Sequence, residues 1–91
     1  MKKWYGPTNA AGQNHGQGVL LLLDGTRIDV EMVKGALHGH GVITTPDGTR
    51  LEGDYVDSQY HGIWIEKKPD GTTWEHNWLN GTKVSTKVPL P

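Results

Sequence analysis

The sequence has no cysteine and no phenylalanine among its 91 residues. Without thiols, disulfides and thiolate metal sites are excluded. Hydrophobic residues make up only 34% of the chain, too little apolar mass for one thick core. Long apolar runs are also missing. The longest, residues 19–23, is far shorter than the roughly 20 residues a membrane-spanning helix needs. Neither sign of charge is in excess: nine Lys+Arg face ten Asp+Glu, for a formal net charge of −1. That balance removes the general attraction of a basic chain to nucleic acid or to anionic membranes. No secretory-type leader is read at the start, and a cytoplasmic protein is the expectation.

Glycine is what the chain has in plenty, 13 of 91, about twice average usage. The glycines recur on a fixed period. His-Gly stands at His15-Gly16, His38-Gly39 and His61-Gly62, 23 residues apart each time. Asp-Gly follows the same spacing at Asp24-Gly25, Asp47-Gly48 and Asp70-Gly71, each followed by a threonine, Thr26, Thr49 and Thr72. Three markers in one register imply a stacked array. The division that follows is one domain, 1–91, with a partial repeat at 1–14, repeats at 15–37, 38–60 and 61–81, and a tail at 82–91. Shifting the frame back by one period sets Tyr5 under Ile28 and Gly12 under Gly35.

Asp-Gly between two β-type runs is a hairpin turn, because glycine accepts positive φ. Pro46 and Pro69 strengthen the later two: proline presets the first central position of a type I turn, and the glycine closes it as a bulge. Strands are expected at 18–23 and 26–33, 41–45 and 49–56, and 64–68 and 72–79. The second strand of each pair alternates with period two. One face carries Ile28, Val30 and Met32, then Leu51, Gly53 and Tyr55, then Trp74, His76 and Trp78; the other carries Arg27, Asp29 and Glu31, then Arg50, Glu52 and Asp54, then Thr73, Glu75 and Asn77. That pattern is a half-buried strand repeated in register. No apolar period of 3.6 residues appears, so the expected fold is all-β: a single elongated antiparallel sheet of stacked 23-residue hairpins.

These residues resemble the MORN (membrane occupation and recognition nexus) repeat, whose unit runs aromatic-x-Gly, aromatic, Gly, then His-Gly-x-Gly, then Asp-Gly. The best-matching stretch runs Asp47-Gly48-Thr49-Arg50-Leu51-Glu52-Gly53-Asp54-Tyr55 and on to His61-Gly62, and the likeness covers about residues 5–81. Ile28 and Leu51 stand where the family has an aromatic, Val30 and His76 stand in the column of Gly53, Trp64 in that of Gly18 and Gly41, and Ser58 in that of Gly35 and Gly81. The resemblance implies stacked hairpins that bind other proteins or copies of themselves; lipid binding is a further proposal for the family.

Candidate chemistry is sparse. Equivalent residues in adjacent hairpins lie two strands, or roughly 9–10 Å, apart, so His15, His38 and His61 do not share a metal ion. They read as structural residues closing the inter-hairpin turns, alongside turn glycines Gly25, Gly48 and Gly71; His38 and His40 offer at most two ligands. The only serines, Ser58 and Ser85, lie outside any nucleophile motif. Gly16-x-Gly18 and Gly39-x-Gly41 enter strands without a following Gly-Lys-Ser/Thr, unlike phosphate loops. Asp29, Glu52 and Glu75, with Glu31 and Asp54 beside them, read as a wet face with weak ion pairs. No enzyme, cofactor or metal is expected.

The aromatics carry more. Tyr55, Tyr60, Trp64, Trp74 and Trp78 crowd the C-terminal half, and Tyr and Trp are the residues that carry interface energy. With His76 they form the candidate protein-binding set. Their face either closes as a shallow core or serves as a recognition groove. Residues 19–23 are apolar on both parities, and the repeat places Leu20 and Leu22 on the face that reads as polar in later units. They are the candidate interface of a homodimer. The expected function is a small stand-alone protein-binding scaffold that occupies a partner protein's surface or self-associates, with inhibition of a host enzyme as one version. The second class is a membrane-surface adaptor binding phospholipid.

Overall fold

The computed structural model describes residues 2–90, with side chains described for residues 2–86. Eight strands follow one another: β1 (Lys3–Tyr5), β2 (Gly16–Leu21), β3 (Arg27–Val33), β4 (Ala36–Thr44), β5 (Arg50–Val56), β6 (Gln59–Lys67), β7 (Thr73–Leu79) and β8 (Thr82–Leu90). They form one open antiparallel sheet in sequence order, with principal extents of 46 × 26 × 18 Å. No helix is present among the described residues.

Two kinds of turn alternate. At the Asp-Gly turns, Gly25, Gly48 and Gly71 donate N–H to the carbonyls of Leu22, Thr45 and Lys68, three residues back. Their φ values are +94°, +94° and +90°, the left-handed glycine of a three-residue hairpin with a bulge. At the other end the strands turn on two residues only: Lys34-Gly35, Asp57-Ser58 and Asn80-Gly81, all at positive φ. Both central residues of a type I′ turn need this conformation. Ser58 has the Cβ that glycine lacks. It is held by donating its N–H to the carbonyl of Leu37 at 2.8 Å while its Oγ accepts from the Leu37 N–H at 3.1 Å.

These second turns correct the strand boundaries expected at 41 and 64. Strands β4 and β6 begin five residues earlier, at Ala36 and Gln59, because the two-residue turns need no loop. The His-Gly pairs therefore lie inside strands. Gly39 and Gly62 have φ of +83° and +75°, and the ladder shifts register beside each, between Val30 and Glu31 and between Glu52 and Asp54. His38 in β4 and His61 in β6 thus flank mid-strand bulges, each just after the residue whose carbonyl accepts an N–H of the next two-residue turn, Leu37 from Ser58 and Tyr60 from Gly81. His15 follows Asn14, which accepts from Gly35 in the same way, and its Nδ1 also accepts the N–H of Lys34 in that first two-residue turn, at 3.1 Å.

One face of the sheet carries the core. Leu20, Ile28, Val30, Met32, Ile43, Tyr55 and Trp64 are all below a tenth exposed, and Trp4, Leu22, Leu37, Leu51, Tyr60 and Trp78 pack against them. A single sheet buries this much by laying rings across glycines. A Cβ added at Gly41 would stand 2.7 Å from the Tyr55 ring, and one at Gly53 only 2.4 Å from the Trp64 ring. The missing side chains make room for aromatics that do the work of a second layer. The Trp64 indole donates to the carbonyl of Asp54 at 3.0 Å, so its burial leaves no unpaired N–H.

The assignment of Leu20 and Leu22 to a wet face is corrected here. Leu20 pairs with Ile28 on one side and Trp4 on the other and is 6% exposed. Leu22 packs against the same cluster. Neither leucine is therefore free on a wet face to form the dimer interface expected of the pair. The outward leucines are Leu21 and Leu23. The partial repeat is also one residue out of frame. Trp4, not Tyr5, faces Leu20, and since strand side chains alternate, a slip of one exchanges the faces. Tyr5 is consequently half exposed.

Candidate functional site

Four of the six predicted binding residues form one ring cluster on the core face, and a fifth, His76, lies beside it. Tyr55 and Tyr60 are opposite each other across β5 and β6, with ring centroids 5.3 Å apart. Trp64 stands edge-on to Tyr55 at 5.0 Å and to Tyr60 at 4.8 Å, and Trp78 lies 4.8 Å from Tyr60. Spacings of this kind add to the area the rings bury. The choice between core and groove divides within the cluster. Tyr55 and Trp64 are core, at 4% and 1% exposure. Burial pushes the Tyr55 phenol well above its ordinary pKa, with Tyr60 adding to the effect. Tyr60 and Trp78 are half-buried and wall a cavity of about 200 Å³ with Leu51, Trp64, Glu66, His76 and Lys83.

His76 is at the centre of the polar part. Its Nε2 lies 2.9 Å from Glu66 Oε1 and its Nδ1 3.0 Å from Thr86 Oγ1. A carboxylate only accepts, so in the neutral ring Nε2 donates to Glu66 and Nδ1 accepts the Thr86 hydroxyl. This chain ties β6, β7 and β8 together across the face. Trp74 stands apart from the ring cluster. Its indole donates to Thr72 Oγ1 at 3.2 Å, and the Lys68 ammonium lies 4.6 Å from its centroid.

Glu66 and Thr86 were not among the predicted residues. Glu66 is legible in the sequence, since it lies two residues from Trp64 and shares its face. Thr86 had no sequence signal; it is found by the cross-strand pairing of β7 with β8, which sets it opposite His76.

The outer face carries ion pairs beside exposed apolar residues such as Leu21 and Ile63. Arg27 meets Asp29 at 2.9 Å, Arg50 meets Glu52 at 3.5 Å, and His40 lies between Glu52 at 2.8 Å and Asp54 at 3.5 Å. The carboxyl of Glu52 is held below the usual glutamate range, chiefly by its hydrogen bond to His40. No group of three or more His, Asp or Glu side chains suited to a metal ion occurs among the described residues.

The geometry is that of repeated hairpins with His-Gly at a mid-strand bulge and Asp-Gly at a turn. The MORN repeat family model matches residues 31–50, which run from the end of β3 through β4 and the Asp-Gly turn. The chain carries a MORN repeat. The same frame recurs at 23-residue intervals outside the matched segment, in the turns at Gly25 and Gly71 and the bulge at Gly62. A search of curated proteins gives no match. MORN repeats point to a binding scaffold for proteins or membrane lipids. Among the described residues no helix is long and apolar enough to cross a membrane.

Proposed function

We propose that this MORN-repeat chain is a protein-binding scaffold, without catalysis of its own, and that a partner protein docks on the C-terminal part of the core face. The observation that carries this reading is the half-buried pair Tyr60 and Trp78 at the mouth of an apolar cavity. Aromatic anchors beside a pocket are where interface energy concentrates. Tyr55 and Trp64 pack against Tyr60, which in turn packs against Trp78. The test is capture from native lysate by the wild type and by the Trp74→Ala, Trp78→Ala double variant, with far-UV circular dichroism to show that both are folded. A protein retained by the first and lost by the folded second supports the reading; equal capture by both ends it. Where the captured protein is an enzyme, its turnover with and without the chain tells whether occupancy inhibits it.

A second reading, a phospholipid-surface adaptor, has one observation in its favour. Val33, Val56 and Leu79 recur at the repeat period just before the two-residue turns, and all three are exposed. Flotation with liposomes separates the two: a chain that stays at the bottom of the gradient at low salt is not a membrane adaptor.

A further inference from the structure

The pocket walled by Tyr60 and Trp78 is mostly apolar, yet Glu66, His76 and Lys83 also line it, and these three differ in depth. The side chains of His76 and Glu66 are 12% and 21% exposed and bonded to each other, and the imidazole is bonded again to Thr86. The one carboxylate in the pocket is therefore already answered. Lys83 is exposed at the rim, directly across from Trp78. It takes part in none of the ion pairs among the described residues. Lys68 stands over Trp74 on the same face. A group approaching the pocket meets an apolar aromatic floor and an unanswered ammonium at its edge.

We propose that this pocket takes one large apolar or aromatic side chain of a partner peptide, with a carboxylate beside it. The inference rests on the scaffold reading and names the chemistry that the same site recognises. The ring packs on Tyr60, Trp78 and Leu51, and the carboxylate meets Lys83. The cavity, about 200 Å³, falls below the roughly 300–1,000 Å³ of sites for drug-sized molecules and suits a single side chain. A basic segment is disfavoured: it would face Lys83 and Lys68 and find Glu66 engaged by His76.

The experiment uses three probes of one shape, N-acetyl-tryptophan, its amide, and tryptamine, titrated into the whole chain by NMR. The indole N–H of Trp78 and the Tyr60 ring report the site. The expected order is acid, then amide, then amine, with the acid about two- to fivefold tighter than the amide, as one exposed ion pair allows. Lys83→Gln, an exposed change, should erase the acid–amide difference and leave the amide's affinity alone. Tryptamine binding as tightly as the acid overturns the proposal. So does an acid–amide difference that survives Lys83→Gln, the absence of binding by all three, or shifts that fall away from Trp78 and Tyr60. If the probes keep the expected order while lysate capture ignores the double tryptophan variant, the scaffold reading fails and the pocket chemistry stands. If capture depends on Trp78 but the probe order is reversed, the scaffold stands and this proposal fails.

Discussion

The N-terminal and C-terminal halves of the sheet share a backbone plan and differ in what fills it. In β2 to β4 the core face is aliphatic, with Leu20, Ile28, Val30, Met32 and Ile43 closing it. In β5 to β7 the columns of Ile28, Val30 and Met32 pass through Leu51, Gly53 and Tyr55 to Trp74, His76 and Trp78. The Asp-Gly turns and the glycines of the His-Gly pairs recur in register and lie outside these columns. The columns are therefore free to change from aliphatic packing to an aromatic cluster with a pocket and a Glu66–His76–Thr86 hydrogen-bond chain. Repetition sets the scaffold, and the departures from repetition make the site.

The largest effect that tests this comparison comes from removing the keystone of each half. Trp64 is 1% exposed and touches two other rings; Met32 is its aliphatic counterpart, 6% exposed. Trp64→Ala is expected to cost about 3–5 kcal/mol, a large share of the roughly 5–15 kcal/mol that holds a domain together. Met32→Ala, followed in the same urea titration, is expected to cost less. If Met32→Ala proves the more damaging, the aromatic half is a surface decoration on an aliphatic core, and the comparison fails.

The next effect concerns the glycine beneath the ring. At Gly53 a methyl group would meet the Trp64 ring at 2.4 Å, so Gly53→Ala is expected to cost about 1–3 kcal/mol through overpacking. The cause is checked by a double-mutant cycle. In a Trp64→Leu background the smaller side chain leaves room, and the cost of Gly53→Ala should fall. Strictly additive costs would show that the methyl group offends something other than the ring.

Much of the fold was legible because its signals are local. Asp47-Gly48 flanked by alternating residues states its own turn, and the 23-residue spacing states the stacking. The two-residue turns were harder to see, because their residues differ: Lys34-Gly35, Asp57-Ser58 and Asn80-Gly81 share positive φ but no motif. Without them the expected β4 and β6 start at 41 and 64 and not at Ala36 and Gln59. The face of Leu20 was misread for another reason. Residues 19–23 are apolar on both parities, so alternation carries no information there. The ladder that decides it, Leu20 opposite Ile28 and Trp4, is a property of pairing. The aromatic set was visible as composition. Its division into buried Tyr55 and Trp64 and accessible Tyr60 and Trp78 depends on which ring lies over a glycine, and only the assembled sheet shows that.

The smallest effect tests the part that both halves share. Asp24, Asp47 and Asp70 each accept the N–H of the threonine two residues on, at 2.8, 2.9 and 2.9 Å. Their carboxyls are all held below the usual aspartate range. For Asp24 the first cause is the backbone N–H of Thr26; for Asp47 and Asp70 it is a threonine hydroxyl, that of Thr45 and of Thr72. A carboxyl whose folded pKa lies below its unfolded value, about 3.9 for aspartate, stabilises the fold fully above that value. The contribution fades as pH falls from there through the folded pKa. The melting temperature of the wild type should therefore hold from pH 7 to 5 and decline below about pH 4. In a variant with Asn at 24, 47 and 70 the turn can still accept the threonine N–H, but nothing at these positions titrates. That variant should melt close to wild type at neutral pH and show a shallower decline in acid. An acid limb left unchanged by the triple replacement would show that the turns common to both halves contribute nothing to its pH dependence.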